Sequence, residues 1–134
     1  MALAEFQLQI VTPDGLLFDG SCQRIILRTT AGDVGILSKH TDFVAPLSIG
    51  VARVLAENGE RKAACAGGMV SVSDGMCRVV ASTFEWSEDI DVARAERARD
   101  RANERLKNKS DSYEARLAEI KLKKSLARLK ASGR

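Results

Sequence analysis

Phe84-Glu85-Trp86-Ser87-Glu88-Asp89-Ile90-Asp91-Val92-Ala93-Arg94-Ala95 is the stretch where the chain changes character. Upstream of Glu85, residues 1–84 hold both prolines and nine of the ten glycines, with 7 Lys/Arg against 8 Asp/Glu. Downstream, residues 85–134 carry 14 Lys/Arg and 10 Asp/Glu, and the single glycine is Gly133. Glycine and proline make turns and weaken helices, so this shift predicts many short elements followed by helices. The division falls between residues 86 and 87. Ser87, Asp89 and Asp91 then offer capping oxygens and carboxylates suited to the positive end of a helix dipole.

Outward toward the C-terminus, Asp91 to Asn108 contains no Gly or Pro, and Ala95, Ala98, Ala102 and Leu106 recur at helical spacing. Asn108-Lys109-Ser110 interrupts the pattern, and Asp111-x-x-Glu114 has the form of a capping box. A second helix follows, with Ala115, Ala118, Leu122, Leu126 and Leu129 stepping by three or four. Residues 87–134 therefore read as an antiparallel two-helix hairpin. Its first helix offers mainly alanine, which buries little area, so the seam is weak and the hairpin can detach.

Toward the N-terminus, Phe6, Leu8 and Ile10 alternate with Gln7 and Gln9, the period of a half-buried strand. Pro13-Asp14-Gly15 is a turn. Asn58-Gly59 and Asp74-Gly75 separate apolar runs in the manner of type I′ hairpins. Many short strands with no helical pattern between them predict a β-sandwich or barrel over residues 1–86. The fold class is α+β, mainly β.

At 134 residues, with 45% hydrophobic and 29% charged residues, the chain has the composition of an ordinary folded protein. No apolar run is long enough for a transmembrane helix, and Met1-Ala2-Leu3-Ala4-Glu5 leads into a strand without the pattern of a secretory signal. The Asn108-Lys109-Ser110 sequon is then read as accidental. Cys22, Cys65 and Cys77 form no C-x-x-C pair and, with the single histidine His40, make no recognisable zinc site. They read as buried free thiols. A net charge of +3 and scattered aromatics argue against nucleic-acid binding.

Ser38-Lys39-His40-Thr41-Asp42 contains triad residue types, but sequence neighbours rarely reach triad geometry. His40 reads as a loop or interface residue. Gly67-Gly68 lacks a phosphate-loop fingerprint and reads as a bulge or close strand crossing. One cluster has more to offer. Glu85, Asp91 and Arg94 surround the start of the first helix, Arg101 lies two turns on, and Lys124 and Arg128 share a face of the second. In an antiparallel hairpin these cations converge and can clamp a polyphosphate, with Asp91 accepting from an adenine amino group or a ribose. The competing reading is a solvated, salt-bridged helix surface.

Four segments, in order and spacing, resemble the epsilon subunit of bacterial F-type ATP synthase: Val11-Thr12-Pro13-Asp14-Gly15-Leu16-Leu17-Phe18-Asp19-Gly20, Gly32-Asp33-Val34-Gly35-Ile36-Leu37-Ser38-Lys39-His40, Gly67-Gly68-Met69-Val70-Ser71-Val72 and Ile90-Asp91-Val92-Ala93-Arg94-Ala95. They span nearly the whole chain. The resemblance implies a β-sandwich of about ten strands and a two-helix hairpin. It implies a non-catalytic rotor-stalk subunit of a proton- or sodium-translocating ATP synthase, peripheral on the cytoplasmic face of the bacterial plasma membrane and membrane-associated through the complex alone. The sandwich would join the gamma subunit to the c-subunit ring, with Asp33 toward the ring and His40 near gamma. The hairpin would extend into the alpha/beta catalytic head and restrain ATP hydrolysis. No cofactor is required. ATP enters as a regulatory ligand at the positions matching the nucleotide motif: Glu85, Ile90, Asp91, Arg94, Arg101, Lys124 and Arg128.

The chain departs from the family pattern at three places. Ser38 replaces a common proline, Ser82 a common aspartate, and Lys124 stands where nucleotide-binding relatives can carry arginine. The last exchange replaces a bidentate fork by a point charge. The alternative reading is an ATP-sensing module built on the hairpin. An enzyme and a nucleic-acid-binding tail rank below it.

Overall fold

The computed structural model describes residues 4–108 and 111–133. Eight strands come first: β1 (Phe6–Thr12), β2 (Gly15–Cys22), β3 (Arg24–Thr29), β4 (Gly32–Leu37), β5 (Phe43–Pro46), β6 (Ile49–Ala56), β7 (Gly59–Ser73) and β8 (Met76–Trp86). A 3-10 turn, Ser87–Asp89, leads into α1 (Val92–Lys107) and α2 (Ser112–Ala131). The strands form one hydrogen-bonded path, β2-β1-β8-β7-β6-β3-β4, with β5 also on β7. All pairs are antiparallel except β1 with β8.

Two long strands serve both layers of the sandwich. The first half of β7 pairs with β6 from Gly59 to Ala66, and the second half with β5 from Met69 to Val72. Between them the inward face changes phase. Ala63 and Cys65 point into the core before the break, Val70 and Val72 after it. β8 changes phase opposite, from Cys77, Val79 and Ala81 to Phe84 and Trp86, in unbroken register with β7. The switch falls at Gly67 and Gly68, both at positive φ (72° and 111°). A Cβ on Gly68 would collide with the carbonyl oxygen of Val80 and lie 2.8 Å from the Ala81 Cα. The glycine pair is therefore a close strand approach. Eight strands stand where about ten were expected, because β7 and β8 each run through both layers.

The core is a single apolar cluster drawn from both layers, including Leu8, Ile10, Ile25, Leu27, Ile36, Val54, Val70 and Val79. Phe84 and Phe18 meet Trp86 edge-on, at centroid distances of 5.2 and 6.1 Å. The Asp74-Gly75 turn has both residues at positive φ, as type I′ requires. Asn58-Gly59 differs. Ala56 pairs with Gly59, which places Glu57-Asn58 at the tip, and the positive φ falls on Gly59 alone. A type I′ turn there would force Glu57 into the left-handed region, which is costly for a residue with a Cβ.

The hairpin forms as the caps dictate. Asp91 accepts from the Arg94 N–H at 3.1 Å and Asp111 from the Glu114 N–H at 2.7 Å. Of the interrupting tripeptide, residues 109 and 110 lie outside the described residues. The seam buries Ala95 and Ala102 on α1, and Ala115 and Ala118 on α2. Leu126 departs from its expected place in that seam and is 47% exposed. α2 has a second neighbour, the sandwich, so its buried surface rotates around the axis to take in Ala127 and Ala131.

Candidate functional site

The sandwich has two outer faces, and they differ. On the first, strand register aligns five residues in one lateral row: Pro46 opposite Met69, Met69 opposite Val80, Val80 beside Val11, and Val11 opposite Leu16. Directly paired residues project to the same side of a sheet. The inward neighbours Ile10, Val70 and Val79 are fully buried, so this row points out. Met69 is 43%, Val80 48% and Leu16 60% exposed. An apolar row across five strands is the kind of surface that marks a protein partner.

The second outer face, on β6 and the first half of β7, receives α2. The apolar contact is thin: Ile90, Ala64 and Ala131 are buried together, with Val51 and Val92 packed against them. Two polar ties accompany it. Arg128 Nε donates to Glu85 Oε1 at 3.0 Å, joining α2 to the end of β8. Arg61 lies over the Trp86 ring, 3.7 Å from its centroid, and donates to Glu88 Oε1 at 2.6 Å. That donation, with a backbone hydrogen bond, holds the Glu88 carboxyl below its ordinary pKa. α1 packs on α2, and the 3-10 turn carrying Glu88 connects it to β8.

Of the seven positions expected to hold nucleotide, the fold gathers four. Glu85, Lys124 and Arg128 line a cleft between α2 and β7–β8, beside Thr83 and Phe84. Arg101 meets Lys124 and Arg128 in an adjoining cleft between the two helices, where Arg105 and Lys121 join them. Among the described residues lining that second cleft, none is acidic. Ile90 is buried in the docking contact. The Asp91 carboxylate is engaged as the N-cap, and the Arg94 side chain is exposed at the same helix end. Neither Asp91 nor Arg94 lines either cleft. Arg105 and Lys121 were legible but overlooked: Arg105 follows Arg101 by one turn, and Lys121 precedes Lys124 by three residues.

Asp33 and His40 lie at opposite ends of β4. Asp33 is the second residue of the strand, exposed, with its carboxylate 3.4 Å from Arg28. His40 follows the strand's end, its Nδ1 2.8 Å from the Thr41 carbonyl and its ring 5.0 Å from that of Phe43. At the usual rise of a strand, the four steps from Asp33 to Leu37 alone span about 13 Å, so the two residues suit contacts at separate ends. The three cysteines are free and buried, and burial pushes each thiol up to about 12. Such thiols are poor nucleophiles.

This architecture, a β-sandwich carrying a terminal helical hairpin, is that of a known family of rotary-complex subunits. The ATP synthase delta/epsilon beta-sandwich domain matches residues 5–87, and the long alpha-helix domain of the same chain matches residues 88–133. The chain belongs to the ATP synthase delta/epsilon family, as an epsilon subunit. It is 38% identical to the ATP synthase epsilon chain of Ruminococcus albus over 98% of its length and 99% of that protein's. With the epsilon chain of Alkaliphilus metalliredigens it shares 40%, over 94% of each. A chain of the Euglena gracilis mitochondrial ATP synthase, from an OSCP/F1/c-ring structure in rotational state 1, superposes with a TM-score of 0.85 at 25% identity. That match covers 98% of this chain and 82% of the other. No helix among the described residues is long and apolar enough to cross a membrane.

Proposed function

We propose that this chain is a non-catalytic subunit of the central rotor stalk, whose sandwich joins gamma to the c ring and whose hairpin restrains ATP hydrolysis. The observation that carries the reading is the contrast between the outer faces. One presents a bare apolar row, Leu16-Val11-Val80-Met69-Pro46, to a partner; the other is covered by a helix held through small side chains. Each methylene-sized group that alanine leaves unburied forgoes about 0.8 kcal/mol, so the hairpin can exchange this contact for another. Family membership and the overall likeness to a chain of an F1/c-ring assembly support the same assignment.

The test separates the two roles. Met69→Asp with Val80→Asp reduces gamma binding by at least about tenfold, because two carboxylates are desolvated in an apolar contact. Removal of residues 88–134 leaves gamma binding intact and raises hydrolysis by the reconstituted complex. Unchanged hydrolysis at matched subunit content would remove the restraining role. Unchanged gamma binding in the double aspartate variant would remove the apolar row from the interface.

The second reading, nucleotide sensing, is favoured by the cationic cleft of Arg101, Arg105, Lys121, Lys124 and Arg128. In this reading, polyphosphate occupies the cleft and draws α1 and α2 together. Calorimetry with ATP decides it: heat of binding that disappears in Arg101→Ala supports the clamp, and no heat at millimolar nucleotide rejects it.

A further inference from the structure

The outer face that presents the apolar row carries a second row beside it, and strand register again builds it. Asp19 stands opposite Gln9, Gln9 beside Arg78, Arg78 opposite Ser71, and Ser71 opposite Val44. Arg78 precedes Val80 by two residues, Gln9 precedes Val11 and Ser71 follows Met69 by the same step. The two rows therefore run side by side, about 7 Å apart.

The second row holds one cation and one anion, Arg78 and Asp19, both exposed. They do not pair. Two strand spacings, about 10 Å, separate their backbones, and a glutamine holds each of them. Gln7 Nε2 donates to Asp19 Oδ1 at 2.8 Å. Arg78 donates from Nε and Nη2 to Gln9 Oε1, at 3.1 and 3.0 Å. Among the described residues Arg78 has no ion-pair partner. Both bonds to Gln9 use one edge of the guanidinium. The terminal edge, Nη1 with the second Nη2 hydrogen, keeps two parallel donors that match the two oxygens of a carboxylate. Gln9 also restrains the side chain, so less freedom is lost when that edge is engaged.

We infer that Arg78 is the polar anchor of this face, and that the gamma surface covering Met69 and Val80 presents a carboxylate to it. The inference rests on the apolar row being the gamma contact. A partner that covers Val80 also draws the guanidinium two residues away out of water. Desolvated without an acceptor, that charge opposes association; met fork to fork by a carboxylate, it adds affinity and fixes the partner's orientation. Gln9 is a positioning residue, aiming Arg78 without meeting the partner's acid itself.

Binding kinetics of the full-length chain on immobilised gamma test this. Arg78→Gln weakens binding by at least about tenfold, chiefly through faster dissociation. Arg78→Glu weakens it by at least about tenfold more, because like charges then face each other. Arg78→Lys, which keeps the charge and loses the fork, falls between wild type and Arg78→Gln. Lys62→Gln removes equal charge on the other outer face and changes affinity less than about twofold. Gln9→Ala weakens binding in the wild-type chain and has no further effect beside Arg78→Gln. Arg78 is exposed, so its variants keep the wild-type unfolding midpoint followed by Trp86. Wild-type affinity in Arg78→Gln, or a loss confined to the association rate, would overturn the anchor. Equal affinities in Arg78→Glu and Arg78→Gln would overturn the carboxylate in favour of a neutral acceptor. Should Met69→Asp with Val80→Asp lose gamma while Arg78→Gln keeps it, this inference alone fails; should the double aspartate variant bind normally, the apolar-row reading fails and takes this inference with it.

Discussion

Gly68 carries more of the fold than its size suggests. Its φ of 111° lies in the region reserved for glycine, and its missing side chain is what lets β8 pass close by. Gly68→Ala is expected to destabilise the sandwich by about 3 kcal/mol or more, combining backbone strain with a backbone collision. Gly59→Ala, also at positive φ but facing open space, is expected to cost only about 1–2 kcal/mol. Urea titrations followed by Trp86, the single and buried tryptophan, measure both; equal losses would refute the close-approach argument. The glycine pair was legible as a break in a strand. Which glycine meets backbone was not, because that depends on Val80 and Ala81, brought alongside by the hairpin. The buried thiols give a second residue-scale expectation. An unfolded thiol ionises near 9.0, whereas Cys22, Cys65 and Cys77 in the fold ionise at about 12. Between those values the unfolded chain has shed protons that the native chain keeps. Their contribution is therefore complete below the lower value and is lost as pH rises toward the upper. Urea midpoints should fall between about pH 8 and about pH 10.5, with a shallower decline in Cys65→Ala. A midpoint independent of pH over that range would mean the thiols are not desolvated.

Among the elements, α2 has the most divided loyalties. Its alanines face α1 on one side and the sandwich on the other, and its cations line clefts on both flanks. Periodicity located both helices, and local chemistry the second cap, Asp111; for the first helix Ser87, Asp89 and Asp91 were all candidates, and the fold uses Asp91 because Ser87 and Asp89 are taken into the 3-10 turn. The same periodicity put Leu126 in the helix seam, because a stripe of apolar residues shows that a face is buried but not how many neighbours share the burial. Similar reasoning explains the candidate site. Glu85, Arg101, Lys124 and Arg128 meet because hairpin geometry is regular, whereas Asp91 is diverted to capping. Ala118, 1% exposed, sits in the seam with α1. Ala118→Leu is expected to overpack that seam by about 1–3 kcal/mol. Amide exchange in α1 should accelerate while the Trp86 unfolding midpoint stays unchanged. A shift of both together would mean the helices and sandwich unfold as one unit.

At the scale of the whole molecule, stability is unevenly distributed. The sandwich has one continuous core, whereas the hairpin is held by alanine contacts, Ile90 and two partly exposed ion pairs, which solvent screens. Heating should therefore release the helices first. Far-ultraviolet circular dichroism, which follows α1 and α2, should show a transition below that of Trp86 fluorescence. Coincident curves would show one cooperative unit. The division into two units was legible in the distribution of glycine and charge. The apolar row on the outer face was not, because Leu16, Val11, Val80, Met69 and Pro46 are adjacent only through register. The passage of β7 and β8 through both layers has a mechanical consequence. In a sandwich whose sheets meet only through side chains, twisting one sheet against the other is resisted by dispersion forces, and the layers can creep. Here the two layers are stitched by covalent chain and by a ladder that keeps its register across the glycine pair. A torque applied to one face reaches the other as tension along two backbones, so the sandwich resists twisting between its layers as one stiff body.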